Sequence, residues 1–233
     1  MSDIGVVYLA RGADQNWQAR LTRFIASYQR HPAGIEHELY VIYKEFETTV
    51  DTVWAVDQLR PLNSIGLFHS MSLNSYAGGT FREACPHVTE PLACMLGSTT
   101  EIMHDDWLAK LHAGLSLPTV GLVCCTGSYG RITEFFPNLP YPNPHIRNLS
   151  FMIERERYVA IAAPIQFNSK LDDLKFEHGP DSLTKQVMRQ GKTVLVVEKN
   201  RVRAPHEWGD TTYRGNLENV LVHDRGARDY QDL

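Results

Sequence analysis

The sequence predicts an α/β protein with a mostly parallel sheet flanked by helices, and three observations carry that prediction. Apolar runs of strand length recur at Ile4–Leu9, Glu38–Tyr43, Ile65–His69, Pro91–Leu96, Val120–Cys125 and Thr193–Val197. Over the first half they alternate with stretches whose apolar residues fall at helical spacing, the pattern of successive β-α-β units. Composition is that of an ordinary globular chain, 43% hydrophobic and 21% charged over 233 residues, which is long enough to bury a full core.

Each element has a local reason. Ile4–Leu9 ends in the polar turn Ala10–Asp14. Gln15–Arg30 follows as a helix, with Trp17, Leu21, Phe24, Ile25 and Tyr28 on one face, and His31-Pro32-Ala33-Gly34 ends it. The strand Glu38–Tyr43 leads into Lys44-Glu45, then a helix over Thr49–Leu59 stopped by Pro61, the strand Ile65–His69, and a helix within Asn74–Cys85. Pro91–Leu96 is a buried strand followed by the polar turn Gly97–Glu101. Asp105 and Asp106 open the next helix as cap and dipole partners, Trp107, Leu108, Leu111 and Leu115 form its stripe, and Val120–Cys125 closes a β-α-β unit. Ligands of open α/β sheets sit beyond the carboxyl ends of strands, which makes Gly97–Glu101 the expected centre of a site. The second half reads less regularly: a long proline-rich loop over Ile132–Asn148, a short strand at Phe151–Ile153, a short helix at Glu154–Ala162 and an irregular polar stretch at Phe167–Gly179. A helix over Ser182–Arg189, capped by Asp181 and closed by Gly191, precedes the last strand, and the tail from Arg201 carries no clear core.

Several function classes are disfavoured. A net charge of −4 and a pI near 6.2 give no footprint for nucleic acid or an anionic membrane. Cys85, Cys94, Cys124 and Cys125 lack CxxC spacing and three lie in apolar runs, so neither zinc nor a disulfide framework is expected from them. Met1–Gly12 has no signal-peptide pattern, and no apolar run approaches the ~20 residues of a membrane span. Arg11-Gly12-Ala13-Asp14 matches neither the dinucleotide fingerprint nor a Walker loop, and Thr126-Gly127-Ser128-Tyr129 is not a nucleophile elbow.

Together, VVYLARGADQNWQARLTRFIASYQRHPAGIEHELYVIY, LACMLGSTTEIMHDDWLAKL, VGLVCCTGSYGR and FEHGPDSLTKQVMRQGKTVLVV resemble the GT-A type of nucleotide-sugar glycosyltransferase, in particular the inverting family-2 group, over Ile4 to about Val197. The resemblance implies a GT-A-like (Rossmann-like) single domain, with residues 1–130 as a nucleotide-sugar half and 131–233 as an acceptor half and tail. It also implies transfer of a hexose or deoxyhexose to a polysaccharide or lipid-linked glycan; the cysteine pattern and the missing signal-peptide pattern predict a cytoplasmic place for it, peripheral to the inner membrane face. Glu177 and His178 match the motif that supplies the catalytic base. Arg11, Lys44, Glu45, Asn74 and Tyr76 fall where the nucleotide is held, and Ser98, Thr99 and Glu101 where the sugar diphosphate is held. A manganese or magnesium ion would be met by Glu101 and His223. The chain departs from the family at its acidic DxD motif, where it reads Thr99-Thr100-Glu101. One carboxylate remains for a cation that prefers several, so a catalytically inactive GT-A-like module in a polysaccharide assembly complex stands as the alternative.

Overall fold

The structure, a computed structural model, describes residues 2–68, 76–210 and 217–223. Its strands are β1 (Ile4–Arg11), β2 (Glu38–Lys44), β3 (Ile65–Phe68), β4 (Leu92–Leu96), β5 (Glu101–Ile102), β6 (Val120–Cys124), β7 (Gly127–Ser128), β8 (His145–Ile146), β9 (Ser150–Glu154), β10 (Thr193–Val197), β11 (Val202–Arg203) and β12 (Val222–His223). Its helices are α1 (Trp17–Arg30), α2 (Thr49–Leu59), α3 (Ala77–Ala84), α4 (Trp107–Leu115), α5 (Arg155–Ala162), α6 (Lys170–His178) and α7 (Leu183–Arg189). Eight strands form one sheet in the order β11-β10-β6-β9-β4-β1-β2-β3, and β5–β12 and β7–β8 make two small ladders beside it.

The pleat sorts side chains onto two faces. Val6, Tyr8 and Ala10 of β1 pack with Leu21 and Phe24 of α1, Leu59 of α2 and Trp107 and Leu111 of α4. Val7 and Leu9 face the other layer, where Phe81 of α3, Tyr158 of α5, Phe176 of α6 and Leu183 of α7 meet. Burial on both faces explains why the strands read as continuous apolar runs rather than alternating ones.

Four expectations are corrected. Residues Pro91–Cys125 are not one β-α-β unit of adjacent strands, because β9 inserts between β4 and β6 and runs antiparallel to both. The stretch 167–179 is not irregular: Ser169 starts α6 by accepting the amide N–H of Asp172 at 3.3 Å. Asp106 caps α4 in a left-handed conformation without a side-chain bond, Asp105 pairs with His31 at 2.8 Å, and Asp181 pairs with Arg189 at 2.6 Å instead of capping α7. The tail has a core after all, since Trp208, Val220, Leu221 and Val222 are buried and β12 pairs with β5. The cap at Gly191 stands, with φ +73°.

Candidate functional site

The carboxyl ends of β1, β2 and β4 open into a cleft of about 240 Å³. It is lined by Leu9, Arg11, Lys44, Tyr76, Ser98, Asn148, Leu149, Lys170, Asp173, Leu174 and Glu177, among others. Five residues singled out from sequence, Arg11, Lys44, Tyr76, Ser98 and Glu177, are thus brought to one place by strands and a helix far apart in the chain.

One wall is cationic. Lys44 is the last residue of β2 and 2% exposed, and its Nζ donates to Thr80 Oγ1 at 3.2 Å and reaches Glu45 Oε1 at 3.3 Å. Burial lowers its pKa, against the pull of Glu45. Arg11 Nε donates to the other oxygen of Glu45 at 2.5 Å, and Arg11 Nη1 reaches Asp14 at 3.0 Å. Glu45 is therefore a bridge between two cations and not a solvent-exposed turn residue. Its backbone is left-handed, with φ 54°, and the turn is crowded: a Cβ on Gly12 would stand 2.5 Å from Phe46 Cα, so only glycine fits where the chain leaves the two paired strand ends. The Arg11 guanidinium lies 5.9 Å from the Tyr76 ring centroid, and Ser98 Oγ donates to Asp14, which Arg20 also pairs at 3.0 Å.

The facing wall is α6, where Asp173 and Glu177 lie one turn apart on the same side. Asp173 Oδ1 accepts the Gly78 N–H at 2.7 Å, one of the donors that the first turn of α3 leaves without a helical partner. A Cβ at Gly78 would sit 2.8 Å from that oxygen, so the glycine permits the approach. Burial raises the Asp173 carboxyl to about 7, overcoming the Gly78 hydrogen bond and the Lys44 charge. Glu177 is pushed the other way. Burial alone would raise it, but the His178 hydrogen bond and the charge of Arg147 hold it at about 2. Its Oε1 is 3.2 Å from His178 Nε2 and 3.7 Å from Arg147 Nε. Asp173 is missing from the residues singled out by sequence because its helix was not recognised. The signal was there in Ser169-Lys170-Leu171-Asp172, a serine with an acidic residue three positions on, where Ser169 Oγ donates back to Asp172 at 2.8 Å.

Behind Glu177 lies His145 of β8, with its ring centroid 4.2 Å from that of His178. Burial lowers its pKa to about 4, so its ring is neutral at physiological pH. One ligand atom each from His145, Glu177 and His178 lie within 4.8 Å of one another. Among the described residues no other group of three or more His, Cys, Asp or Glu converges in this way.

Of the remaining sequence candidates, Glu45, Thr99, Glu101, His178 and His223 are not among the residues lining the cleft. Thr99 follows Ser98 at the turn, where the Thr100 N–H bonds Gly97 O at 3.1 Å, and the Thr99 and Thr100 hydroxyls are buried without a partner. Glu101 stands opposite His223 in the β5–β12 ladder and 4.0 Å from Arg23. Asn74 lies outside the described residues. A divalent cation at the end of β4 would find hydroxyls at 98–100, Glu101, and an Asp14 carboxylate already taken up by Ser98, Arg11 and Arg20. That donor set does not fit a hard cation.

Neither a family model nor a curated protein matches the sequence. Solved structures do match in shape. A mannosyltransferase from Pyrobaculum calidifontis, solved with GDP-mannose and Mn²⁺, superposes with TM-score 0.55 at 13% identity over 84% of this chain. The chain spans only 54% of that protein. A 4-diphosphocytidyl-2C-methyl-D-erythritol synthase from Anaerococcus prevotii superposes with TM-score 0.55 at 12% identity, over 84% of this chain and 86% of that one. Mouse xyloside xylosyltransferase 1 gives 0.51 at 12% identity, over 84% and 85%. The fold is GT-A-like. At these identities the likeness concerns the frame alone. Among the described residues no helix is long and apolar enough to cross a membrane.

Proposed function

We propose that this chain binds a nucleoside diphosphate sugar in the cleft and transfers the sugar, with inversion, to a hydroxyl acceptor on a polysaccharide or lipid-linked glycan. The observation that carries the reading is the pairing of a cationic wall, Arg11 and Lys44, with a carboxylate wall, Asp173 and Glu177, across one cleft of a GT-A-like fold. Charge develops on the leaving diphosphate, and fixed cations in a site poor in water stabilise it most. Lys44 and Arg11 would do this, with Ser98 and the partnerless Thr99 hydroxyl on the sugar-phosphate side. Glu45 would orient the two cations, and Tyr76 with Asn74 would border the nucleotide.

Inversion needs one group to take the acceptor proton, and a base works best when its pKa lies near the operating pH. Within the α6 group that the sequence marked by Glu177 and His178, Asp173 meets that condition, whereas Glu177 is held ionised beside His178. Asp173 is accordingly the proposed base. Glu177 and His178 are proposed to hold the acceptor side in place.

A second reading, a binding module without turnover, is favoured by one observation: hydroxyls occupy the place of the acidic motif. Thermal unfolding with a panel of nucleotide-sugars, followed by assay for released nucleoside diphosphate, separates the two. A donor at about 100 times its dissociation constant adds about 2.7 kcal/mol, which raises the midpoint by roughly 5–10 °C. A shift with product formation supports transfer. A shift with glycan alone and no turnover supports the module, and the absence of any shift with nucleotide-sugars overturns the first reading.

A further inference from the structure

We propose that His145, Glu177 and His178 form a binding site for a transition-metal dication of the zinc class, separate from the end of β4. The donor set is two imidazoles and one carboxylate, which suits zinc, cobalt or ferrous iron rather than magnesium or calcium. The geometry is close to assembled. Three atoms no more than 4.8 Å apart have a common centre within about 2.8 Å of each, and metal–ligand bonds of about 2.0–2.2 Å need less than 1 Å of closure from there.

The orientation of His145 is the independent observation. Its ring is fully buried, and Nδ1–H donates to the Asn143 carbonyl at 2.8 Å. The lone pair is thereby fixed on Nε2, which is buried and has no hydrogen-bond partner. An imidazole that donates through one nitrogen to a backbone carbonyl, leaving the other bare, is the arrangement that outer-shell partners impose on metal ligands. A histidine with no such task would leave this buried acceptor unsatisfied, which is costly in the interior. His178 Nδ1 is likewise buried without a partner.

The frame around the three residues is fixed from several sides. Asn143 Nδ2 donates to the His178 carbonyl at 3.0 Å and to the Gly130 carbonyl at 3.2 Å, so the segment carrying His145 is tied to the end of α6. The Ile146 N–H donates to Thr184 Oγ1 at 2.9 Å, which ties β8 to α7. Arg147, 3.7 Å from Glu177, is the competing cation, and in its company Glu177 offers its remaining lone pairs to the metal. Three protein ligands leave a coordination position for an oxygen ligand from outside, and Glu177 borders the cleft from which one would come.

The test uses the full chain, stripped with a chelator, dialysed and titrated with Co²⁺ in the absence of any nucleotide or sugar. One equivalent of Co²⁺ per chain, with visible d–d bands of a tetrahedral or five-coordinate site and displacement by Zn²⁺, is expected. Glu177→Gln and His178→Gln should each weaken binding at least tenfold, while His87→Ala, an exposed histidine elsewhere, should leave it unchanged. Should either variant fail to fold, the ¹⁵N signals of the wild-type imidazoles decide, since Zn²⁺ must shift two of them. Weak or multiple Co²⁺ binding without d–d bands, binding retained in the Glu177 and His178 variants, or imidazole signals unmoved by Zn²⁺ would overturn the proposal. Because no donor is present, these outcomes are independent of glycosyl transfer.

Discussion

On one side of the cleft, the ends of β1, β2 and β4 present Arg11, Lys44 and Ser98. On the other, α6 presents Asp173 and Glu177, with His178 and His145 behind them. The first wall holds its cations in ion pairs: Lys44 and Arg11 share Glu45, and Asp14 is tied to Arg11, Arg20 and Ser98. The second holds groups whose protonation the environment has moved, with Asp173 raised to about 7, Glu177 lowered to about 2 and His145 lowered to about 4. Paired cations at a cleft suit an anionic ligand, and groups with displaced pKa values suit proton or metal chemistry. On the proposed reading, anion binding and proton chemistry would be divided between the walls.

The largest expected effect comes from Asp173→Asn. Turnover should fall 10²–10⁴-fold, the usual contribution of a positioned base. Stability should move the opposite way. The folded carboxyl binds its proton up to about pH 7, whereas the ordinary value of an aspartate is 3.8, so its contribution is full at low pH and is lost as pH rises from about 4 through 7. At about 1.4 kcal/mol per unit the loss amounts to a few kcal/mol. Asparagine retains the oxygen that accepts the Gly78 N–H and carries no charge. The variant should therefore melt several degrees higher than the parent at pH 8 and near it at pH 4. Equal melting at both pH values would remove the contrast between the walls.

Lys44→Ala tests the donor wall. It removes one cation from a buried pair and leaves Glu45 with Arg11 alone, so unfolding in urea should show a loss of about 3 kcal/mol. Donor affinity should fall with it, and a donor dissociation constant left unchanged would deny the wall its role in anion binding. Thr99→Asp tries to make the walls alike. Without metal, a carboxylate where a buried hydroxyl had no partner should lower the melting midpoint clearly, because an unpaired charge there costs more than an unpaired hydroxyl. With Glu101 nearby in sequence, manganese should recover part of that loss in a melting experiment, whereas the parent should show no manganese response at this position.

Legibility in the sequence follows the same division. The donor wall hangs from strands buried on both faces, whose apolar runs are visible, and so β1, β2 and β4 and the residues at their ends could be located from sequence. What could not be located was strand order, because a buried strand reads the same whether its neighbour is parallel or antiparallel; hence β9 between β4 and β6. The acceptor wall was harder. In α6 only Phe176 is buried, so helical periodicity is faint and its capping serine was the remaining signal. His145 and Glu177 are distant in sequence and are joined through Asn143 and β8, a meeting that no local spacing encodes. The tail was misjudged because Trp208 and Val220–Val222 are too few and too scattered to show a period, although all are buried.

The smallest effect belongs to Glu101→Gln. Glu101 carries the carboxylate left in the acidic motif, yet it lies outside the cleft lining, at 4.0 Å from an Arg23 side chain that is 45% exposed. A pair so open to solvent is worth ~0–1 kcal/mol, so the melting midpoint should change by no more than roughly 2–4 °C. Donor binding measured calorimetrically with chelator present should match the parent within twofold. If the dissociation constant instead rose tenfold, about 1.4 kcal/mol of donor binding would pass through this carboxylate. The donor wall would then depend on an acidic group, as a metal-dependent GT-A site does, and the division between fixed cations on one wall and titrating groups on the other would fail.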